Sequence, residues 1–112
     1  MQPLLCEVTL NQLAEDIGSS MLPELFNVFI DENEPKLAAL NAPDTHQDMN
    51  QLRALFHTLK SSAASYGGLR LAVAATELDM ACKVNDTATV ERLLPDFIDV
   101  YTQTLDVMKQ RY

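Results

Sequence analysis

His57 and Lys60 are the residues of this chain best suited to chemistry, and they stand one helical turn apart in the run His57-Thr58-Leu59-Lys60-Ser61-Ser62-Ala63-Ala64-Ser65-Tyr66-Gly67. A neutral imidazole is the common side chain that is nucleophilic near neutral pH and can also carry a phosphoryl group in a labile bond. A phosphoryl group attached there brings about two negative charges. Lys60 at i+3 can meet that charge, and Arg53 at i−4 can approach from the other side. The neighbouring Ser61 and Ala64 are small, so they leave the ring open to a second protein. Arg53, Ser61 and Ala64 are therefore candidate partner-binding residues around the histidine.

A reactive side chain of this kind needs a rigid support, and hydropathy periodicity supplies one. Met49, Leu52, Phe56, Leu59, Ala63 and Tyr66 step by three and four residues, the spacing of one helix face. His57 follows Phe56 and is rotated about 100° from it, off the centre of that apolar seam. Gly67 and Gly68 end the helix.

Four further segments show the same period. Leu10, Leu13 and Ile17 follow Thr9, a candidate N-cap, and Gly18 stops this brief first helix. Beyond Ser20, the residues Leu22, Leu25, Phe26, Phe29, Leu37 and Leu40 predict a second helix reaching about Asn41, with Pro23 tolerable in its first turn. Pro35 removes a backbone donor inside this pattern and predicts a kink or break near Glu32 to Glu34. A turn from Asn41 to Asp44 leads into the histidine-bearing helix. Leu71, Ala74, Ala75, Leu78 and Cys82 mark a fourth helix, which Asn85 and Asp86 close. Thr87 or Thr89 can cap a fifth, which carries Val90, Leu93, Leu94, Phe97, Tyr101, Leu105 and Met108, with Pro95 at a bend.

Short connections between long amphipathic helices make antiparallel neighbours. The expected fold is all-α: an antiparallel up-down-up-down four-helix bundle with a short additional N-terminal helix capping one end. The 112 residues fit a single domain, 1–112. The apolar seams are read as core.

Composition excludes several functions. Sixteen acidic residues against eight basic ones give a formal charge of −8, which opposes binding to nucleic acid or to an anionic membrane. No apolar stretch approaches the ~20 residues that a bilayer requires, and Met1 to Leu10 carries no basic leader region. Cys6 and Cys82 are too few and too far apart in sequence for a disulfide framework or a paired-cysteine zinc site. The expectation is a soluble, cytoplasmic, monomeric protein. Ser61, Ser62 and Ser65 have no visible acid–base partners, so a hydrolase is not supported. His46 belongs to a polar helix start and is read as solvent-facing rather than as a second phosphoryl site.

A histidine, a lysine three residues on, small residues, and a glycine ten residues after the histidine together resemble the signature of the histidine-containing phosphotransfer domain. His57, Lys60, Ser62, Ala63 and Gly67 fit that pattern, and Leu71 takes the place of its following apolar residue. Ser61 stands where many members have glycine. In that serine, and in the segment Asp16-Ile17-Gly18 through Leu22-Pro23 to Phe29, the chain is similar to free-standing members that serve quorum-sensing relays.

The resemblance implies a relay intermediate. His57 would accept a phosphoryl group from a receiver-domain aspartate of a sensor kinase and pass it to the receiver of a response regulator, with Lys60 stabilising the phosphoryl charge. It implies no intrinsic cofactor, Mg²⁺ held by the partner receivers, and no ATP-dependent kinase activity, since the chain has no Gly-rich phosphate loop or kinase motifs. Partner recognition would use apolar surface from the histidine-bearing helix and the adjacent second helix, where Val28 is the candidate.

Two rivals remain open at this stage. One is a non-catalytic helical adaptor that binds a partner through a helix face, with His57 incidental. The other is a carboxylate-bridged di-metal bundle, which needs inward Glu-x-x-His pairs; the residues three before His46 and His57 are Pro43 and Ala54.

Overall fold

Each of the five α-helices among the described residues follows an apolar repeat, in the order α1 (Glu7–Ile17), α2 (Leu22–Asn41), α3 (Met49–Ser65), α4 (Leu69–Lys83) and α5 (Thr87–Arg111), with a 3₁₀ turn, Ser19–Met21, between the first two. The structure is a computed structural model, and it describes residues 3–41 and 49–112. His46, Pro43 and most of the expected turn after Asn41 lie outside the described residues.

Two helix starts and two helix interiors differ from expectation for local physical reasons. α1 begins at Glu7 rather than behind Thr9. The Cys6 carbonyl accepts from the Leu10 N–H at 3.1 Å, while the Cys6 N–H donates to the Gly67 carbonyl at 2.7 Å. A tertiary tie to the end of α3 thus fixes the residue before the helix. α5 is capped by Asp86, neither by Thr87 nor by Thr89: its Oδ1 accepts from the Thr89 N–H at 3.1 Å and its Oδ2 from the Thr89 hydroxyl at 2.5 Å. An acid three residues before a backbone donor satisfies an otherwise orphaned N–H. Pro35 and Pro95 both lie inside unbroken helices. Each ring is exposed, as are Asp31 and Glu91, whose carbonyls lose their partner four residues on, so water can satisfy them.

α3 packs along α4, α4 along α5, and α5 along α2, while α1 lies against the start of α2. This is the up-down-up-down bundle with its short N-terminal cap. The core is one cluster in which Phe26, Phe29, Phe56, Leu59, Leu71, Leu78, Phe97, Tyr101, Leu105 and Met108 are almost wholly buried. Ile17 and Met49, assigned to the seams by their period, are instead exposed at helix ends.

Aromatic contacts fix the helices relative to one another. Phe26 of α2 stacks on Tyr112 beyond α5, with centroids 4.2 Å apart, and meets the edge of Tyr66 at 5.7 Å. Phe56 of α3 meets Phe97 of α5 edge-on at 5.1 Å. Such pairs add about 0.5–1.5 kcal/mol each beyond the area they bury. Since Phe56 precedes His57, the contact that anchors Phe56 also fixes which way the histidine faces.

Gly67 closes α3 with φ +79°, and a Cβ there would lie 3.3 Å from Leu10 Cδ2. Both the left-handed backbone and the close approach of α1 favour glycine. Asn33 and Tyr101 form a buried polar bridge between α2 and α5. The Tyr101 hydroxyl donates to Asn33 Oδ1, and Asn33 Nδ2 donates to the Phe29 carbonyl at 2.8 Å. Burial pushes the Tyr101 hydroxyl well above the usual phenol range.

Candidate phosphotransfer site

Leu52, Phe56, Leu59 and Ala63 are the residues by which α3 enters the core. His57 therefore emerges beside that seam, with its side chain 67% exposed. Ser61 and Ala64, on the following turns, are exposed and small. Ser65 reaches back along this surface, its hydroxyl donating to the Ser61 carbonyl at 3.0 Å. The ring thus faces solvent beside small side chains.

The surroundings of the ring were not predicted. α4 places Asp79 beneath the histidine with its side chain only 1% exposed, and Asp79 Oδ1 lies 3.8 Å from His57 Nδ1. The other carboxylate oxygen, Oδ2, accepts from Lys60 Nζ at 2.7 Å and is ion-paired with Lys83 Nζ at 3.0 Å. Lys60 is thus anchored to the neighbouring helix instead of standing free for an incoming charge. Its long stem is 27% exposed, so the ammonium remains at the rim of the site.

Electrostatics follow from this arrangement. The Lys60 ammonium holds the Asp79 carboxyl below its ordinary range, outweighing the burial that acts in the opposite direction, and Lys83 adds to the effect. Reciprocally, the carboxylate pushes the Lys60 ammonium up against a smaller opposing effect of burial. Cys82, buried on α4, has its thiol pushed up by burial and by Asp79, with Arg53 pulling the other way. Arg53 accordingly belongs to the same α3–α4 side of the molecule and is itself exposed.

An ionised Asp79 next to Nδ1 favours the tautomer that carries its proton on that nitrogen. The unshared electron pair then belongs to Nε2, the nitrogen directed away from the carboxylate. At 3.8 Å the Nδ1 to Oδ1 approach is longer than a hydrogen bond, so its influence is that of a nearby charge. What results is an exposed imidazole with an outward nucleophilic nitrogen, above one buried anion and two cations.

Val28 is exposed on α2, where it lines a shallow apolar depression with Ile17, Met21, Glu24 and Leu25. No residue of α3 lines that depression, so the structure does not join Val28 to the histidine patch. Among the described residues, no three or more His, Cys, Asp or Glu side chains are grouped so as to hold a metal ion. None of the described helices is long and apolar enough to cross a membrane.

Asp79 enters the sequence reading only through the net charge. A signal was present: Leu71, Ala75 and Asp79 are spaced by four and put the acid on the buried face of α4, and Lys83 follows at i+4. A carboxylate on a core-facing position needs a cation, which points to α3 and Lys60.

The fold and this site define a helical bundle that presents the exposed His57. A model of the Hpt domain matches residues 24–110, and the chain belongs to the Hpt domain family. Among its relatives, the phosphorelay protein LuxU of Vibrio cholerae is 32% identical over 92 residues, which cover 82% of this chain and 81% of the relative. LuxU of Vibrio vulnificus strain YJ016 is 33% identical over 101 residues, covering 90% of this chain and 88% of the relative. The crystal structure of histidine-containing phosphotransfer protein B from Pseudomonas aeruginosa PAO1 superposes with a TM-score of 0.81 at 23% identity, covering 100% of this chain and 99% of that one. That last likeness speaks for the fold alone.

Proposed function

We propose that this chain is a phosphorelay intermediate in which His57 accepts a phosphoryl group from the phospho-aspartate of a sensor kinase's receiver domain and delivers it to the receiver of a response regulator. The observation that carries the reading is the exposed His57 ring with Nδ1 turned to buried Asp79, which leaves Nε2 outward. Membership of the Hpt domain family and the phosphorelay names of the relatives agree with it.

In the forward step the Nε2 electron pair attacks phosphorus in line. The N–P bond forms as the P–O bond to the receiver aspartate breaks, and that electron pair leaves with the carboxylate. The bundle contributes position, and the small Ser61 and Ala64 let the two surfaces close. Lys60, one turn on and at the rim, meets the phosphoryl charge together with Arg53. The Mg²⁺ expected in the receivers would shield phosphoryl oxygens; no cofactor of its own is assigned to this chain. No ATP-dependent kinase step is assigned either, since phosphoryl enters from a partner.

The apolar depression at Val28 is assigned to receiver docking, apart from the histidine patch but on the same bundle. A cytoplasmic monomer and an output in quorum sensing complete the proposal, the latter resting on sequence likeness. The test is transfer from a panel of phosphorylated receivers, read on phosphate-affinity gels handled at neutral or alkaline pH. A retarded band for the wild type, absent from His57→Gln, supports the relay. Receiver binding without transfer from any of the panel would instead favour a helical adaptor.

A further inference from the structure

We infer that the outer flank of α4, carrying Val73, Met80, Lys83 and Val84, is the surface on which a receiver domain rests while phosphoryl passes between its aspartate and His57. This rests on the proposed role of His57 as phosphoryl carrier and names the face that seats its partner.

His57 is turned towards α4. Its Nδ1 lies 3.8 Å from Asp79 Oδ1, and Lys60, one turn on, reaches across to the same carboxylate at 2.7 Å. A protein that reaches the outward Nε2 therefore covers α3 and the adjacent flank of α4. Asp79 is the buried edge of that flank, and the next residue, Met80, is rotated about 100° from it, towards solvent. Met80 is 63% exposed; Val73, seven residues before it, is 40% exposed, and Val84, at the helix C-cap four residues on, is 74% exposed. Spacings of seven and four put the three on one face. α5, which also packs along α4, exposes no large apolar side chain. Single exposed apolar residues are ordinary, but a line of them beside a reactive group marks an interaction surface.

Charge identifies the occupant. Lys83, four residues from Asp79 and three from Met80, stands between the stripe and the histidine; it pairs with Asp79 at 3.0 Å while its side chain stays 48% exposed. With Lys60 and Arg53 it forms a cationic rim in a chain whose net charge is −8. Of the two acids on α4, Asp79 is buried and paired, which leaves Glu77. A receiver that holds Mg²⁺ and an aspartyl phosphate presents carboxylate and phosphate oxygens around the reacting group. That acidic rim meets the cations, and apolar side chains next to it meet Met80 and Val84. The Val28 depression has Glu24 as its charged lining residue, so it suits a part of the receiver remote from the phosphoryl group. Met80 also fits the task of a carrier, which must seat two different receivers in turn: the unbranched thioether repacks against unlike surfaces.

The test titrates the ¹⁵N-labelled full chain with an unlabelled receiver and Mg²⁺, and measures transfer from the phosphorylated receiver to wild type and variants. Amide signals of Thr76, Met80, Lys83 and Val84 should shift together with those of the α3 turns around His57. Met80→Glu, at an exposed position, should keep the wild-type urea midpoint and raise KM for the phosphorylated receiver about tenfold with kcat nearly as before. Gln110→Glu adds the same charge at an exposed position of α5 and should leave KM as in the wild type. Shifts confined to α2 around Val28, or a wild-type KM in Met80→Glu, would overturn the inference. So would sedimentation showing that the wild type alone pairs through this stripe, if Met80→Glu abolished the pairing and transferred normally; the occupant would then be a second copy. Phosphoramidate needs no docking surface. A wild type that gains no phosphoryl on His57 from it or from any receiver removes the relay reading itself, whereas phosphoryl on His57 with a wild-type KM in Met80→Glu removes the docking face alone.

Discussion

Lys60 Nζ lies 2.7 Å from Asp79 Oδ2, so the lysine one turn beyond the exposed histidine is tied to the next helix by a carboxylate that is 1% exposed. Lys83 pairs with the same oxygen from α4. Two cations therefore share one buried anion directly beneath His57.

That sharing predicts strong non-additivity. With Lys60→Met or Lys83→Met alone, Asp79 keeps one ammonium partner, and urea unfolding should register a modest loss. The double variant leaves a buried carboxylate without a cation, and the penalty for that stranded charge is about 3–5 kcal/mol. A double-mutant cycle in urea should give a loss larger than the sum of the single losses. Simple additivity would show that Asp79 does not depend on the pair.

Acid should weaken the fold through the same group. The Asp79 carboxyl is held below its ordinary value in the folded chain, chiefly by Lys60, and Glu7 is held down likewise by Arg111. A depressed folded-state value contributes stability that is complete above the unfolded value, about pH 4, and is lost as pH falls through the folded one. Unfolding free energy measured from pH 6 downward should hold steady until about pH 4 and then fall. Asp79→Asn should show a shallower fall across that acid window. An equal slope in the two proteins would contradict the coupling.

The Tyr101 to Asn33 bridge offers a test of the core. Tyr101→Phe removes the hydroxyl that donates to the buried amide oxygen of Asn33, at about 1–3 kcal/mol. Adding Asn33→Leu removes the stranded polar group and should recover part of that loss in thermal or urea unfolding. A further loss of the full size of the first would show that the two residues act independently.

The bundle was legible in the sequence because Leu52, Phe56, Leu59 and Ala63, like the corresponding sets on α4 and α5, follow one period without interruption. The exposed histidine was legible for the same reason, since Phe56 in the core dictates where His57 points. What the sequence hid depends on pairs distant along the chain. Cys6 caps α1 because Gly67, far along the chain, holds its N–H. Lys60 reads as a free cation until α4 brings Asp79 beneath it, 19 residues away. Pro35 reads as a kink or break and Pro95 as a bend, yet both lie inside unbroken helices because solvent on the outer face satisfies the freed carbonyls.

The open surface around His57 can be closed without touching the core. Ala64 is exposed, so Ala64→Gln should leave the unfolding midpoint unchanged while reducing phosphoryl transfer from receivers at least about tenfold, since close approach is what the small side chain permits. Val28→Asp should weaken receiver binding without abolishing reaction with phosphoramidate, which needs no docking surface. Transfer at the wild-type rate in Ala64→Gln would show that receivers do not approach over that turn.

The most direct measurement of the central claim is intact-mass spectrometry under neutral or alkaline conditions. The wild type and His57→Gln are each incubated with a phosphorylated receiver and Mg²⁺, and then with a second, unphosphorylated receiver. The account predicts that the wild type gains one phosphoryl group and loses it to the second receiver, while His57→Gln gains none. Equal phosphoryl gain by His57→Gln, or no gain by the wild type from any competent receiver, would contradict it.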